Sequence, residues 1–191
     1  MKLREFIEDL KSNVNLLLNT NNFSRYHLLS FGVSKVEFLG KVLLCSDSAF
    51  NKRGNSKYSF FYAILKLQAF SEYEKFVMIK KRIGISDLAD KNDTGSYLSD
   101  GVNLLNRYVN RPVKMDFYED FRCSFDHAQR PTAKISYTSD TNLNIHEVNS
   151  KFRLDCLRFI NDLCNACDEV LRSQDPTLCN YLNKEFLSIS Q

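Results

Sequence analysis

The first nineteen residues place apolar side chains at helical intervals. Charged and polar residues separate them, and the side chains that fall at helical steps are Leu3, Phe6, Ile7, Leu10, Val14 and Leu17. This pattern predicts an amphipathic helix over residues 1–19. Its apolar stripe has to be covered, either by the body of the chain or by a second copy of it.

Apolar runs separated by polar breaks continue as far as residue 79. Residues 24–31 are predicted to form a short helix, and residues 35–44 alternate well enough to predict a strand. Residues 58–70 are apolar on nearly every side, and the length of this run favours a buried helix. A buried segment follows at residues 76–79.

Two groups of cations accompany these runs. The polar loop predicted over residues 46–57 carries three cations that suit a solvated surface or contact with phosphate: Lys52, Arg53 and Lys57. The buried segment ends in Lys80, Lys81 and Arg82. These three either contact a nucleic-acid backbone or stabilise the end of a helix.

The stretch from residue 86 to residue 109 predicts a short helix, a tight polar turn over residues 92–95 and a second helix. In the second helix, apolar residues recur at three- and four-residue steps, which marks one buried stripe. The opposite face is polar and is made of Ser96, Ser99, Asp100, Asn103, Asn106 and Arg107. Such a face can exchange hydrogen bonds with a partner without filling a core.

Strand-like and helical patterns divide the rest of the chain. Residues 113–117 and 133–137 alternate apolar and polar side chains, which predicts a β-hairpin. Residues 145–175 predict one long helix with apolar residues on two sides, and Pro176 separates it from a last short helix over residues 178–189. One partner of the long helix is its own domain, and the natural second partner is another subunit in a homodimer.

The order short helix, turn, helix and hairpin resembles a winged helix-turn-helix and is similar to the MarR and SarA families of DNA-binding regulators. Leu88-Ala89, the run over residues 97–108 and the strand exit over residues 135–140 carry the resemblance. Asn92 and Asp93 depart from the apolar residue and glycine that the family places before its recognition helix. Gly101 lies inside the second helix, where it costs about 1 kcal/mol relative to alanine.

The resemblance implies a mainly α fold with a small β-hairpin, of class α+β. Three segments follow from it: an N-terminal arm over residues 1–50, a winged-helix-like DNA-binding core over residues 51–144 and C-terminal dimerisation helices over residues 145–191. Length and composition agree with a compact, helix-rich protein, because 43% of the 191 residues are apolar and the chain has three prolines.

Charge and targeting signals narrow the function only slightly. The formal net charge of +3 is compatible with nucleic-acid binding without requiring it. No apolar run approaches the roughly 18 residues of a membrane helix, and no secretory signal opens the chain, so we expect a cytoplasmic protein without a membrane partner. The six cysteines are then expected to be reduced thiols.

No pattern points to an enzyme, a metal site or a cofactor. Cys164 and Cys167 form a CxxC, but with Cys156 they follow the apolar face of a helix, which favours core packing over a zinc site. The alternative for the cysteines is redox sensing, and Cys123 is its candidate. Arg122 and His127 have the spacing of one class of helical ribonucleases, a pattern short enough to occur by chance. Phosphate loops and GxSxG elbows are absent from the sequence.

The resemblance assigns the function as sequence-specific binding of double-stranded DNA by a dimeric transcription regulator. It places five residues of the second helix at base edges: Ser96, Tyr97, Ser99, Asp100 and Asn103. It places phosphate contacts at Lys80, Lys81, Arg82 and Arg107, and a wing between Arg122 and Arg130. The alternative is a protein-interaction module, such as an antitoxin, immunity protein or phage-encoded inhibitor. Acidic residues inside the supposed wing, including Glu119 and Asp126, favour that alternative.

Overall fold

A computed structural model describes residues 1–19, 25–123, 134–138, 145–148 and 151–185. The α-helices are α1 Leu3–Leu18, α2 Arg25–Leu43, α3 Asp47–Asn51, α4 Ser56–Lys66, α5 Ile85–Leu88, α6 Ser96–Asn106, α7 Cys156–Leu171 and α8 Pro176–Leu182. A 3-10 helix, Gln68–Phe76, and a π-helix, Phe117–Cys123, join them. The strands are β1 Ile135–Thr138, β2 Ile145–Val148 and β3 Lys151–Asp155. The expected α+β class is confirmed.

A helical bundle forms the core, in which α2 packs against α4 and α7 and α1 packs against α7. The Phe6 ring of α1 also lies 4.9 Å from the Phe38 ring of α2. Aromatic rings close one end of it. The Tyr73 and Phe117 rings stack with centroids 5.1 Å apart, and Phe121 stacks on Phe117 at 4.8 Å. Phe159 on α7 meets the Phe121 ring edge-on at 5.1 Å. These contacts join the 3-10 helix, the π-helix and α7.

The predicted strand at residues 35–44 is wrong, because α2 runs without a break through it. Its two glycines are contact points between helices. A Cβ on Gly40 would collide with the backbone of Ser59 on α4, and a Cβ on Gly32 would collide with Ile160 on α7. Glycine therefore lets α2 approach both neighbours closely, and this gain outweighs its low helix propensity.

The predicted partner of the strand at residues 133–137 is also wrong. Residues 113–117 form no strand, and Phe117 begins the π-helix. The strand β1 pairs in parallel with β3, with Ile135 opposite Phe152, and β2 pairs with β3 in the antiparallel direction. Strand order in the sheet is therefore β1-β3-β2.

The long C-terminal helix begins at Cys156, eleven residues later than the predicted start at residue 145. Residues 151–154 alternate instead, since Lys151 and Arg153 are exposed while Phe152 and Leu154 are buried. The three cysteines of α7, Cys156, Cys164 and Cys167, are buried in the core as expected. Burial raises the pKa of the Cys123 thiol, which lies in the π-helix and not in a hairpin, and so lowers its reactivity.

The N-terminal helix α1 folds back on the body of the chain, which is one of the two expected outcomes. Leu3, Ile7, Leu10 and Val14 are all buried, and α1 packs against α7. Lys11 Nζ lies 2.7 Å from Asp168 Oδ1 on α7. Since α1, α2 and the 3-10 helix cover α7 within one chain, its two-sided apolar surface no longer argues for a second subunit. No described helix combines the length and the apolar character that crossing a bilayer requires.

The close contact at Gly40 predicts a large loss on substitution. Gly40→Ala places a methyl group on the Ser59 backbone, and we expect the free energy of unfolding to fall by at least about 3 kcal/mol. Chemical denaturation followed by circular dichroism measures it. The matched control is Gly84→Ala, whose Cβ has no neighbour within 4 Å, with an expected loss under about 1 kcal/mol. Equal losses in the two variants would contradict this packing.

A buried acid predicts a pH-dependent stability. Asp162 Oδ2 accepts a 2.7 Å hydrogen bond from the Tyr73 hydroxyl, and burial raises the pKa of Asp162 to about 6. A raised folded-state pKa stabilises the fold below the unfolded value and loses that contribution as pH rises through about 6. Asp162→Asn keeps an acceptor for Tyr73 without the charge. Relative to the natural chain, it should gain about 2 kcal/mol of unfolding free energy between pH 4.5 and pH 7.5. If the difference in unfolding free energy between the variant and the natural chain did not change with pH, a raised pKa of Asp162 would be excluded.

Candidate functional site

The helix α6 presents the polar face that the sequence analysis singled out. Leu98, Gly101 and Leu105 are buried against the bundle. A Cβ on Gly101 would press on Leu44 and Leu88, so this glycine lets α6 lie close to the core and is not a defect. The residues of the opposite face are exposed to solvent: Ser96, Ser99, Asp100, Asn103 and Arg107.

Tyr97 differs from the other residues predicted to meet base edges. Its side chain is half-buried, and its hydroxyl donates a hydrogen bond to Asp175, the N-cap of α8. Burial, reinforced by this bond, raises the pKa of Tyr97 above its ordinary value. Tyr97 therefore ties the start of α6 to the C-terminal helices, while its neighbours face outward.

The turn between α5 and α6 is fixed by side chains. The Asp93 carboxylate accepts hydrogen bonds from the hydroxyls of Ser46 and Ser48, the latter at 2.9 Å. The Ser48 hydroxyl in turn accepts from the Asp90 backbone N–H at 3.0 Å. The bond from Ser46 is the largest influence that lowers the pKa of Asp93. This carboxylate anchor holds the turn at Asp93, one of the two positions that depart from the resemblance, and Gly95 then caps the start of α6.

The segment carrying Lys80, Lys81 and Arg82 is held against the other end of α6. Backbone bonds join Ile79 to Tyr108 at 2.9 Å and to Asn110 at 2.8 Å. The Asn106 side-chain amide accepts from the Ile83 N–H at 3.0 Å and donates to the Ile83 carbonyl at 3.1 Å. We call these four hydrogen bonds the clasp.

The clasp holds a segment of three consecutive cations against the end of α6, which carries a fourth cation. Lys80, Lys81 and Arg82 are all exposed and lie in the segment joined to the end of α6, where Arg107 is exposed as well. These four residues are the basic cluster. Among the described residues, Lys81, Arg82 and Arg107 form no ion pair, and Lys80 lies 3.9 Å from Glu119 with both side chains largely exposed. An exposed pair of this kind contributes little free energy, so it hardly opposes the binding of an anion by Lys80.

Arg122 is placed differently. Its guanidinium lies 2.8 Å from Glu37 on α2, and only 14% of its side chain is exposed. Burial would raise the pKa of Glu37, but Lys41, Ser56 and Arg122 hold it below the ordinary value. Arg122 thus helps to seat the π-helix on α2. Arg130 and His127 lie outside the described residues.

Two contacts of this region were missed in the sequence analysis. Asn106 was counted among the polar face, whereas its amide is the side-chain part of the clasp. The Tyr108 hydroxyl donates a 2.7 Å bond to Glu74, and Arg111 lies 3.7 Å from the same carboxylate. The only sequence signal for the contact with Ile83 was a polar asparagine at the end of the helix. Nothing in the sequence indicated the contacts of Glu74, because its partners are distant from it in sequence.

No protein-family model, no curated protein and no solved structure matches the chain. Within the described ranges, no group of three or more histidine, cysteine or acidic residues is arranged to hold a metal ion.

The clasp predicts that the stability of the fold depends on Asn106 of α6 but not on Asn103, three residues earlier. Asn106→Ala removes both bonds to Ile83, and we expect the free energy of unfolding to fall by about 1–2 kcal/mol. Hydrogen exchange at the Ile83 amide should accelerate in the same variant. Asn103→Ala, at an exposed position of the same helix, is the control and should change stability by less than about 0.5 kcal/mol. Similar exchange rates at Ile83 in both variants would contradict the clasp.

Proposed function

We propose that this protein binds double-stranded DNA through the exposed face of α6 and the basic cluster, and acts as a transcription regulator. One observation supports the proposal above the others. The polar face of α6 is exposed, with Arg107 exposed at its end, and the clasp holds the segment of Lys80, Lys81 and Arg82 against that end of the helix. If the polar face of α6 were buried inside the protein, it could not contact DNA and the proposal would be excluded.

The basic cluster suits phosphate contact. Lys80, Lys81, Arg82 and Arg107 are exposed, and three of them have no ion-pair partner among the described residues, so binding a phosphate costs them no existing salt bridge. Cations that neutralise phosphates release counterions from the duplex. For four such contacts the logarithm of affinity should fall with the logarithm of salt concentration with a slope of about −3.6.

The exposed face of α6 suits the major groove. The helix has 11 residues and is therefore about 16 Å long, and a groove about 12 Å wide admits one helix. Asn103 can pair with an adenine edge, and Asp100 can accept from a cytosine amino group. Ser96 and Ser99 add hydroxyl groups that read either kind of base. Tyr97 orients the helix through Asp175 instead of meeting a base.

The short helix α5, the turn anchored by Asp93 and α6 provide the helix-turn-helix of this proposal. The proposal uses this pair and the basic cluster only, without a wing. A homodimer, as the sequence analysis expected, would present two such surfaces to half-sites about one helical turn apart.

A protein-interaction module is the second candidate, and exposed acids favour it. Asp100 lies on the exposed face of α6, and Asp90 is exposed in the preceding turn. Carboxylates at these positions repel phosphate and would suit a basic protein surface instead. The two candidates differ in their response to salt and to loss of the cations.

Charge reversal in the basic cluster tests the proposal. Lys81→Glu with Arg82→Glu should weaken binding of a fluorescent DNA duplex at least about 100-fold and make the salt slope shallower by about 2. Fluorescence anisotropy, titrated at several salt concentrations, measures both quantities.

The control for charge alone is Lys2→Glu with Lys35→Glu. It makes the same change in net charge at the N-cap of α1 and on α2, outside the cluster. It should retain most of the affinity. Absence of duplex binding by the natural chain at low salt, or equal losses in the two double variants, would overturn the proposal.

A further inference from the structure

The link between α3 and α4 and the first turn of α4 carry three cations that the proposed DNA contacts do not use. Lys57 Nζ lies 2.9 Å from Asp116 and 3.3 Å from Glu119, and only 16% of its side chain is exposed. Arg53 is exposed and Lys52 is partly exposed, and neither forms an ion pair with a described residue. Lys57 therefore serves the fold, whereas the charges of Lys52 and Arg53 are available to a partner.

The link that carries Lys52 and Arg53 is short and has a defined shape. It joins Asn51, the last residue of α3, to Ser56, the first residue of α4. Gly54 has a φ of +80°, in the left-handed region that favours glycine, and a Cβ there would meet nothing within 4 Å. The glycine thus serves the reversal of the backbone and not a packing contact.

Asn55 holds this link against the end of α5. Its side chain is fully buried, and its Nδ2 donates two hydrogen bonds of 2.9 Å, one to the carbonyl of Ala49 on α3 and one to the carbonyl of Leu88 on α5. Breaking these bonds would leave a buried amide without partners, which is costly. The cations just before Asn55 are therefore fixed beside the proposed helix-turn-helix.

A second set of hydrogen bonds joins α3 to the turn before α6. The Ser48 hydroxyl accepts from the Asp90 N–H and donates to the Asp93 carboxylate. Lys91 lies in the same turn, is exposed and forms no ion pair with a described residue. With the two cations of the link it makes up the second basic group: Lys52, Arg53 and Lys91.

The two groups of cations flank α6. The basic cluster is held to the end of this helix by Asn106, whereas the second basic group is tied to residues 88–93, just before the first helical residue, Ser96. The helix is about 16 Å long and the major groove is about 12 Å wide. A helix in the groove has a row of phosphates on each side, so cations near its two ends can meet different strands.

Acidic side chains also lie near the second basic group. Asp93 accepts from two serine hydroxyls, and Asp47 lies 4.0 Å from Lys184. Asp90 is exposed and forms no ion pair with a described residue, so it opposes the three cations with one charge. Neutralising Asp90 should therefore strengthen the binding of phosphate.

We propose that the second basic group contacts the phosphates of one DNA strand while the basic cluster contacts those of the other, so that α6 is held in the major groove from both sides. The inference rests on the proposed function and adds the contacts that fix the orientation of the helix. Each contacted phosphate releases counterions. Seven contacts instead of four steepen the expected slope of log affinity against log salt from about −3.6 to about −6.3.

Charge reversal in the second basic group tests the inference. Lys52→Glu with Arg53→Glu should weaken binding of a fluorescent DNA duplex at least about tenfold and make the salt slope shallower by about 2, as measured by anisotropy at several salt concentrations. Lys52→Arg with Arg53→Lys keeps both charges and should retain the affinity. Asp90→Asn should tighten binding several-fold. Unfolding followed by circular dichroism should show the same midpoint in all these variants and the natural chain.

Lys2→Glu with Lys35→Glu is again the control for net charge and should retain most of the affinity. A natural slope near −6.3, made shallower by charge reversal in either basic group, would support the inference. Suppose instead that the natural slope is near −3.6 and that Lys52→Glu with Arg53→Glu binds as tightly as the control. The inference would then be overturned while the proposed function stands. Absence of duplex binding by the natural chain at low salt would overturn both.

Discussion

The proposed DNA-binding surface depends on the clasp between the basic segment and the end of α6. Four hydrogen bonds, two from the backbone of Ile79 and two from the Asn106 amide, hold residues 79–83 against that helix. Without them, Lys80, Lys81 and Arg82 would sit on a loop with freedom to move away from Arg107. Pre-organised cations lose less entropy on meeting an anion, so the clasp turns separate charges into one surface.

The clasp can hold the basic segment in place only because α6 itself is packed at a fixed distance from the core. Gly101 lets the helix lie close to Leu44 and Leu88, and Tyr97 with Asp93 ties its start to other parts of the chain. Beneath it, Gly40 lets α2 and α4 come into close contact. Glycines inside helices thus serve the site indirectly, by setting the distances between helices on which its geometry depends.

Sequence periodicity predicted α1 and α6 because each has one apolar stripe, and it predicted that the polar face of α6 would be exposed. The length of the apolar run at residues 58–70 favoured a helix, and α4 lies there. Periodicity failed at residues 35–44, where an alternation of apolar and polar residues predicted a strand although α2 runs through the segment. It also failed where alternation was short: residues 113–117 precede a π-helix, whereas residues 151–154 form a strand. The Asn106–Ile83 and Arg122–Glu37 contacts span 23 and 85 residues, and no local pattern reports such distances.

The most direct test of the account is a map of the residues that meet a DNA duplex, from backbone amide spectra of ¹⁵N-labelled protein recorded during a titration at low salt. The account predicts that the largest changes fall at residues 80–83 and along the exposed face of α6, with the amides of α1 nearly unchanged. Changes confined to another surface, or an unchanged spectrum at saturating duplex, would contradict it.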